Sequence, residues 1–599
     1  MTVTAHQGDC KTLLAFDFDS DDRFKALAGF TVECKPDGQP GYFLNNTLRF
    51  ADPSKHAQDL SLPAQSTINA PIHKLRWVHV PGSAHQGTKP FFGKYTYTVT
   101  PRYFDNRQSL MPLDRGLSVS MDIGVGPFRK GCLAMGFTRG YTQSQGFTHN
   151  FGVTALIRPK GNDLLFDTSV ASGQDAQGHQ YSFADEYAWL GLTARDCAMG
   201  FLDTVLADKQ QFLSVFAYDL NEPDVCKRIL QLASEGRARV ILDNAALHHS
   251  TVKPTPEDAF EQAFLKAARG PAAILRGKFA RYAHDKVFVS FTKDRALRVL
   301  TGSTNFSVTG MYVNSNHVLV FDDSALASQY GELFEQVWAQ GVKAPAFITS
   351  RFSTAPYVAA GATLPRTSIT FAPHSPADAQ RILGDVAARI RAEVTQNGKR
   401  SVLFAVMAVD QGVSPVYEAL NQLHRSADVF SFGISDSKNG VTLYKPGTAQ
   451  GVLVTGKPTS ATLPPPFDQI RFIGGIGHQV HHKFVVCGFN GPDPVVYCGS
   501  SNLAVGGESA NGDNLLEIRD ADVATVFAIE AVTLVDHFHF LNSLSDQPKG
   551  PDATKTKQAA SQQQAAEAAQ WFLGTTDAWT KPYCDTHDLR YADRKLFAG

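Results

Sequence analysis

A chain of 599 residues, 43% hydrophobic and 19% charged, is long enough for three or four globular domains and too apolar to stay disordered. Its formal net charge of −1 excludes a basic nucleic-acid footprint over the whole molecule, although a local groove can still be basic. Eight dispersed cysteines (Cys10, Cys34, Cys132, Cys197, Cys226, Cys487, Cys498, Cys584) lack metal-type spacing and read as packed free thiols, with Cys487 and Cys498 as cross-strand neighbours of one expected hairpin. Met1–His6 shows neither a basic patch nor an apolar run, and no stretch approaches about 18 uninterrupted apolar residues. Neither a secretory signal nor a membrane span is expected, and the chain reads as cytoplasmic unless a leaderless route exports it.

Residues 1–150 carry short alternating runs separated by turn residues, among them Leu75–Val80, Tyr95–Thr100 and Leu117–Ile123. Such a series without a helical period predicts an antiparallel β-sandwich, similar to a fibronectin type III or immunoglobulin-like module. From 151 the pattern changes to strands alternating with amphipathic helices, which is an α/β signature. A helix over Ala198–Ala207 precedes the strand Phe212–Tyr218, and a helix over Pro223–Ser234 precedes Val240–Leu242. The order repeats later, with Ala377–Val394 before Val402–Met407 and Pro415–Arg425 before Val429–Phe432. Helices over Ser324–Ala339 and Asp522–Asn542 close the two halves. The expected organisation is therefore a sandwich (1–150), a first half (151–344), a connection (345–365), a second half (366–545) and a Gln/Ala-rich segment with a C-terminal tail (546–599).

Each half holds one copy of a chemical pattern. His284-Asp285-Lys286 is followed by Gly302-Ser303-Thr304-Asn305, and His481-His482-Lys483 by Gly499-Ser500-Ser501-Asn502. The copies lie 197 positions apart (481 − 284), and the lysine-to-asparagine spacing is 19 in both (305 − 286, 502 − 483). Asn316 and Asp513 each follow their asparagine by 11 (316 − 305, 513 − 502). A single His-x-Lys on a strand is commonly a surface pair, but two in the same register mark a duplicated active site. On the expected strands Lys286–Phe291 and Lys483–Cys487, residues two apart share a face, so each histidine projects with its lysine while Asp285 and His482 face away. Each strand turns back through a polar loop to a return strand that ends at Gly302 or Gly499.

Two lysines, two asparagines and short hydroxyls converging on one point form a donor cluster with a charge of about +2, suited to a phosphoryl group whose charge spreads over its oxygens. Two imidazoles supply a nucleophile and a general acid near neutral pH. The implied reaction is a double displacement that needs neither cofactor nor metal, since the lysines carry the compensating charge. Gly302 and Gly499 allow close backbone approach to a ligand, and Ser303 and Ser500 either contact phosphate or cap the turn. His478, His481 and His482 do not converge on one strand face, so the cluster is not read as a metal site. His248-His249 reads as a solvated loop pair, with a place at the cleft mouth as the alternative.

The paired His-x-Lys…Gly-Ser-x-Asn halves resemble the phospholipase D superfamily from about Phe151 to Phe540. That resemblance implies two α/β repeats, mixed sheets flanked by helices and related by pseudo-twofold symmetry, that share one site and form a covalent phosphohistidine. The usual superfamily motif has an aspartate five residues after the lysine, where this chain has Phe291 and Gly488. In this respect it is similar to the His-Lys-Asn form of tyrosyl-DNA phosphodiesterases. The resemblance also implies that Asn316 and Asp513 each orient the histidine of the opposite half. Asp513 would then support His284 as nucleophile and leave His481 as acid. A phospholipid substrate, with transient contact to a membrane surface, competes with a nucleic acid, for which Arg276–Tyr282 would line a basic, aromatic groove unless it is a solvated strand edge. The contrasting class is an idle binding scaffold, which the retention of both histidines and both lysines disfavours. With both halves in one chain, a monomer suffices.

Overall fold

Two large mixed sheets repeat one another strand for strand. The first, in spatial order, runs Ala273–Gly277, Ala238–Asp243, Phe212–Ala217, Lys286–Phe291, Ala296–Gly302, His317–Phe321, Leu133–Phe137 and Arg129–Lys130. The second runs Phe430–Ser435, Ser401–Val406, Lys483–Cys487, Val495–Gly499, Asp513–Arg519, Arg366–Ala372 and Tyr357–Ala359. Apart from Ala273–Gly277, the strands correspond in order. In each sheet the first corresponding pair is parallel and all later pairs are antiparallel. These relationships come from a computed structural model that describes residues 1–82, 85–140, 145–152, 155–161, 163–175, 177–293, 295–395, 400–407, 414–423, 429–436, 441–444, 451–454, 480–545 and 572–599.

The central strands are buried along their whole length, as at Ser401–Val406 and Lys483–Cys487, because helices cover both sheet faces. Local chemistry sets where those helices start. Thr255 and Asp258 form a capping box on Pro256–Ala267, Asp323 caps Ser324–Ala339, and Ser375 caps Pro376–Ala392. The helix Phe183–Ala207 is longer than its sequence signal and breaks at Leu192 (φ 41°, ψ −136°). Among the described residues no helix is long and apolar enough to cross a membrane.

The first repeat starts earlier than residue 151. Leu133–Phe137 pairs with His317–Phe321 (Phe137 opposite His317) and occupies the place that Arg366–Ala372 has in the second sheet. As a short apolar run after a series of strands, it looks on sequence like one more sandwich strand. The 345–365 connection contains the short helix Arg351–Thr354 and the edge strand Tyr357–Ala359, which pairs with Arg366–Ala372. Cys487 lies opposite Val495, so it is not the cross-strand neighbour of Cys498, and all eight cysteines are free. The Gln/Ala-rich stretch 555–569 and His478 lie outside the described residues.

The N-terminal part packs a three-stranded sheet (Thr2–Gln7, Thr12–Asp17, Arg76–His79) against a four-stranded one (Tyr42–Phe43, Leu27–Pro36, Gly93–Tyr103, Val119–Val125). Leu14, Phe16, Phe30, Val32, Tyr95 and Val99 form the core between them. The C-terminal helix Leu589–Ala598 folds back across this sandwich and the second repeat. Arg594 binds Asp17, Asp593 binds Arg76, and the Phe597 ring packs on Phe489 at 5.2 Å and Phe430 at 5.9 Å.

Candidate active site

The segments entering the two motif strands each cross to the opposite repeat. Tyr282 O accepts from Gly512 N at 2.9 Å, and Ser315 O accepts from His481 N at 3.0 Å. These backbone contacts set each motif histidine beside the orienting residue of the other repeat. His284 Nδ1 lies 2.6 Å from Asp513 Oδ1, and His481 Nδ1 lies 2.8 Å from Asn316 Oδ1. The amide orientation of Asn316 follows from its other contact, because Nδ2 donates to Gly310 O at 2.8 Å. Its Oδ1 can only accept, so His481 carries a proton on Nδ1. An ionised Asp513 likewise holds the proton of His284 on Nδ1 and leaves Nε2 with its lone pair.

Both histidines line one cavity of about 430 Å³ together with Asn305 and Asn502. The Oδ1 atoms of both asparagines are buried without a hydrogen-bond partner among the described residues. Lys483 Nζ donates to His481 O at 2.7 Å and lies 3.2 and 3.3 Å from the two ring nitrogens. Lys286 Nζ donates to His284 O and sits over the Tyr218 ring, 4.7 Å from its centroid. Tyr218 in turn packs edge-on to His284 at 4.5 Å.

Burial moves these groups toward their neutral forms. His284 is held well below the ordinary imidazole range by burial and then by the Lys286 and Lys483 charges. Burial pushes Lys286 down to about 8, and burial with the Lys286 charge pushes Lys483 well below its ordinary value. Asp513 is raised by burial to about 7, against the pull of Lys286. Two ammonium groups packed beside this cavity, with Asn305 and Asn502 on its wall able to donate through Nδ2, favour an anion.

Four sequence-predicted contact residues lie behind this cavity. Ser303 and Ser500 are fully buried, and both are used by the protein itself. Ser303 Oγ donates to Asn316 Oδ1 at 2.8 Å, while Ser500 Oγ accepts from Asn514 N at 2.9 Å and flanks the Asp513 carboxyl. Gly302 (φ 143°) and Gly499 (φ 133°) meet the backbone of the next strand. A Cβ there would come within 2.4 Å of His317 O and 2.5 Å of Asn514 O. His248 is not solvated, being buried against Asp243 (3.0 Å), whereas His249 binds Asp258 (2.6 Å) with its ring 40% exposed. Of the expected groove Arg276–Tyr282, only Arg281 and Tyr282 line the cavity, while Arg276 is spent on Asp258 and Glu261.

The cavity also contains residues that the motif reading passed over. Asn314 and Asn511 face it from equivalent positions, again 197 apart (511 − 314), so extending the repeat register two residues back from Asn316 and Asp513 would have found them. Tyr218, at the end of the strand Phe212–Ala217, has no asparagine, lysine or histidine counterpart and gave no such signal.

Residues 204–338 match the family model described as cardiolipin synthase, PLD-like domain. The chain is 28% identical over 146 residues to the mitochondrial cardiolipin hydrolase of Xenopus tropicalis, a match covering 24% of this chain and 63% of that protein. It thus spans less than two thirds of that curated relative. Among solved structures, phosphatidylserine synthase from Haemophilus influenzae Rd KW20 is similar at 10% identity over 64% of this chain and 94% of that one, with a TM-score of 0.36. Yeast tyrosyl-DNA phosphodiesterase is similar at 8% identity over 53% of this chain and 84% of that one, with a TM-score of 0.28. The matched domain contains the first motif and the core of its sheet, and the second half repeats that sheet around an equivalent motif.

Proposed function

We propose that the chain is a phosphodiesterase that cleaves phospholipids through a covalent phosphohistidine. The observation that carries this reading is one cavity shared by two imidazoles, each oriented from the opposite repeat, one by a carboxylate and the other by an amide. In the first step His284 Nε2 attacks phosphorus, the P–O bond to the leaving group breaks, and protonated His481 gives its Nε2 proton to the departing alkoxide. In the second, His481 takes a proton from water, the resulting oxygen nucleophile attacks phosphorus, and the P–N bond breaks. Lys286, Lys483, Asn305 and Asn502 hold the non-bridging oxygens through both displacements.

Two features support a lipid over other diesters. The loop between Asp243 and Pro256 carries Leu247 (66% exposed), which lines the cavity, and Val252 (92% exposed) beside Lys253. Apolar side chains next to a cation at a cleft mouth suit the interface of a phospholipid surface. The matched relative is itself called a cardiolipin hydrolase. A nucleic-acid reading draws on the opposite wall, where Arg281 lies over the Tyr282 ring at 5.2 Å and Tyr282 packs on Tyr218 at 5.4 Å, a surface on which a base can stack.

Parallel assays on cardiolipin and phosphatidylcholine vesicles, single-stranded DNA and duplex DNA decide between them. Turnover is expected on vesicles, abolished by His284→Ala and by His481→Ala, with a phosphoprotein trapped in the wild type and absent from His284→Ala. Cleavage of DNA alone would overturn the lipid assignment, and a covalent adduct surviving His284→Ala would overturn the assignment of the nucleophile.

A further inference from the structure

Behind the second motif lies a buried polar chain that the reaction above does not use. His317 and His482 occupy the positions that Asn514 and Asp285 hold in the symmetry-related arrangement (514 − 317 = 482 − 285 = 197). On the other side Asn514 Nδ2 simply donates to Asp285 Oδ1 at 3.1 Å. Here the two rings meet edge to edge in nearly the same plane, with centroids 5.5 Å apart, planes within 3° and Nδ1 atoms 3.2 Å apart. His482 Nε2 lies 3.5 Å from Glu530 Oε1, and the other oxygen of Glu530 binds the ammonium group of Lys11.

The neighbours fix every proton in this chain. Gly499 N–H can only donate, so its 3.3 Å contact makes His317 Nε2 an acceptor and puts the His317 proton on Nδ1. Ser303 independently requires the same tautomer. Its hydroxyl proton is used on Asn316 Oδ1, so toward His317 Nδ1, 3.2 Å away, its oxygen can only accept. With the proton on His317 Nδ1, the facing His482 Nδ1 must accept. His482 therefore carries its proton on Nε2, directed at the Glu530 carboxylate. Gly499, His317 and His482 form a one-directional hydrogen-bond chain whose last proton, on His482 Nε2, faces the Glu530 carboxylate at 3.5 Å, an electrostatic contact longer than a formed hydrogen bond, and the arrangement is favourable only while Glu530 stays an acceptor.

Lys11 comes from the sandwich, in the turn between the strands Thr2–Gln7 and Thr12–Asp17. That turn is anchored to both repeats. Asp9 accepts from Phe128 N at 3.0 Å, Phe137 N at 3.3 Å and the Thr193 hydroxyl in the first, while Lys11 reaches the helix Ala521–Ser545 of the second. The other end of the chain touches the active site at two places. His482 and His317 are the immediate neighbours of His481 and Asn316, and Gly499 opens the turn that carries Asn502.

We propose that Lys11 is a positioning residue for the active site: by keeping Glu530 ionised it locks His482 and His317 into single, opposed neutral tautomers, and this lock holds the Gly499–Asn502 turn against the His481–Asn316 pair. The functional consequence rests on His481 serving as the general acid, whereas the tautomers do not. Without the ammonium group, Glu530 takes up a proton and can donate to His482 Nε2. The chain then reverses and leaves His317 Nε2–H facing Gly499 N–H, two donors at 3.3 Å.

Histidine-selective ¹⁵N NMR of the intact protein tests the tautomers directly. His317 should be protonated on Nδ1 alone and His482 on Nε2 alone, and any other pattern overturns the proposal. In turnover of bis(p-nitrophenyl) phosphate, Lys11→Met should lower kcat by about 10- to 100-fold with little change in KM, whereas Glu530→Gln should stay within about threefold of wild type. The double variant should recover to within about threefold, because the amide oxygen introduced by Glu530→Gln accepts the same proton without needing a counter-charge. Wild-type kcat in folded Lys11→Met, or a double variant no better than Lys11→Met, would overturn the proposal. If Lys11→Met does not fold, the wild-type spectrum and the double variant still decide. A protein with the assigned tautomers but no phosphodiester turnover would instead count against the proposed function and leave the chain standing.

Discussion

The two repeats differ most sharply at Asp513 and Asn316, and exchanging those two residues should exchange the roles of the histidines. The Asp513 carboxylate touches His284 at 2.6 Å, and the amide of Asn316 touches His481 at 2.8 Å. An imidazolium and a carboxylate in such contact have charge centres about 4 Å apart, and at an effective dielectric near 20 their attraction is about 4 kcal/mol. At about 1.4 kcal/mol per decade this is roughly three decades of preferential stabilisation for positive charge developing on His284, against a dipole alone at His481. Asp513→Asn should therefore slow formation of the covalent adduct by about 10²- to 10³-fold. Because Asn316 shows that an amide fits this geometry, the substitution should leave the fold intact. The informative protein is the double variant Asn316→Asp/Asp513→Asn, in which the adduct should move to His481. The assay is rapid acid-free quench with labelled diester, followed by peptide mapping of the phosphohistidine. An Asp513→Asn rate within about threefold of wild type, or an adduct that stays on His284 in the double variant, would refute the reasoning.

Asp513 also predicts how stability changes with pH. Its pKa is raised from 3.8 to about 7 by burial, so the folded form binds the proton more tightly, and the associated stability is complete below pH 3.8 and lost as pH rises through 7. Asp513→Asn removes that loss, and its melting temperature relative to wild type should increase between pH 5 and pH 8; a constant difference would reject a raised Asp513. Gly302→Ala and Gly499→Ala place a Cβ 2.4 and 2.5 Å from a carbonyl oxygen at positive φ, and each should cost about 1–3 kcal/mol or more in urea unfolding. If the two buried lysines supply the compensating charge, excess EDTA should leave turnover unchanged while Lys483→Met lowers kcat by about 10²- to 10³-fold, and loss of turnover on chelation would reject the lysine-based chemistry. Tungstate, an oxyanion of phosphate shape, should stabilise the protein by about 2.7 kcal/mol at one hundred times its Kd in thermal shift, with the effect absent from Lys286→Met.

Much of this architecture was legible because duplication writes the same information twice. The 197-residue register marked His284, Lys286 and Asn305 with their partners, and the alternation of helix and strand located Phe212–Ala217, Pro223–Ser234 and Ser324–Ala339 closely. The start of the first repeat was not legible. Leu133–Phe137 is five apolar residues whose membership in a sheet depends on pairing with a strand some 180 positions later. The roles of Ser303, Ser500, Gly302 and Gly499 were also hidden, for a related reason. A short hydroxyl or a glycine at a strand end suits a ligand and a neighbouring backbone equally well, and only the approach of His317 O and Asn514 O distinguishes the two. Sequence spacing records which residues recur, but not which side of a sheet the rest of the chain will occupy.

That distinction explains how a symmetric scaffold can run an asymmetric reaction. The backbone crossings, the glycine turns and the donation of each lysine to its histidine's carbonyl are alike in both repeats, so symmetry alone gives neither histidine a reason to be the nucleophile. The asymmetry comes from substitutions at three equivalent positions and from what they recruit. At the orienting position, a carboxylate replaces an amide and favours His284. One residue further on, Asn514 and Asp285 settle each other, whereas His317 and His482 must pass their protons outward until they reach a fixed charge. The second repeat supplies Glu530, and the sandwich supplies Lys11. A module that a bare repeat would not need thus becomes part of the support for one half of the site, on the side of the proposed proton donor.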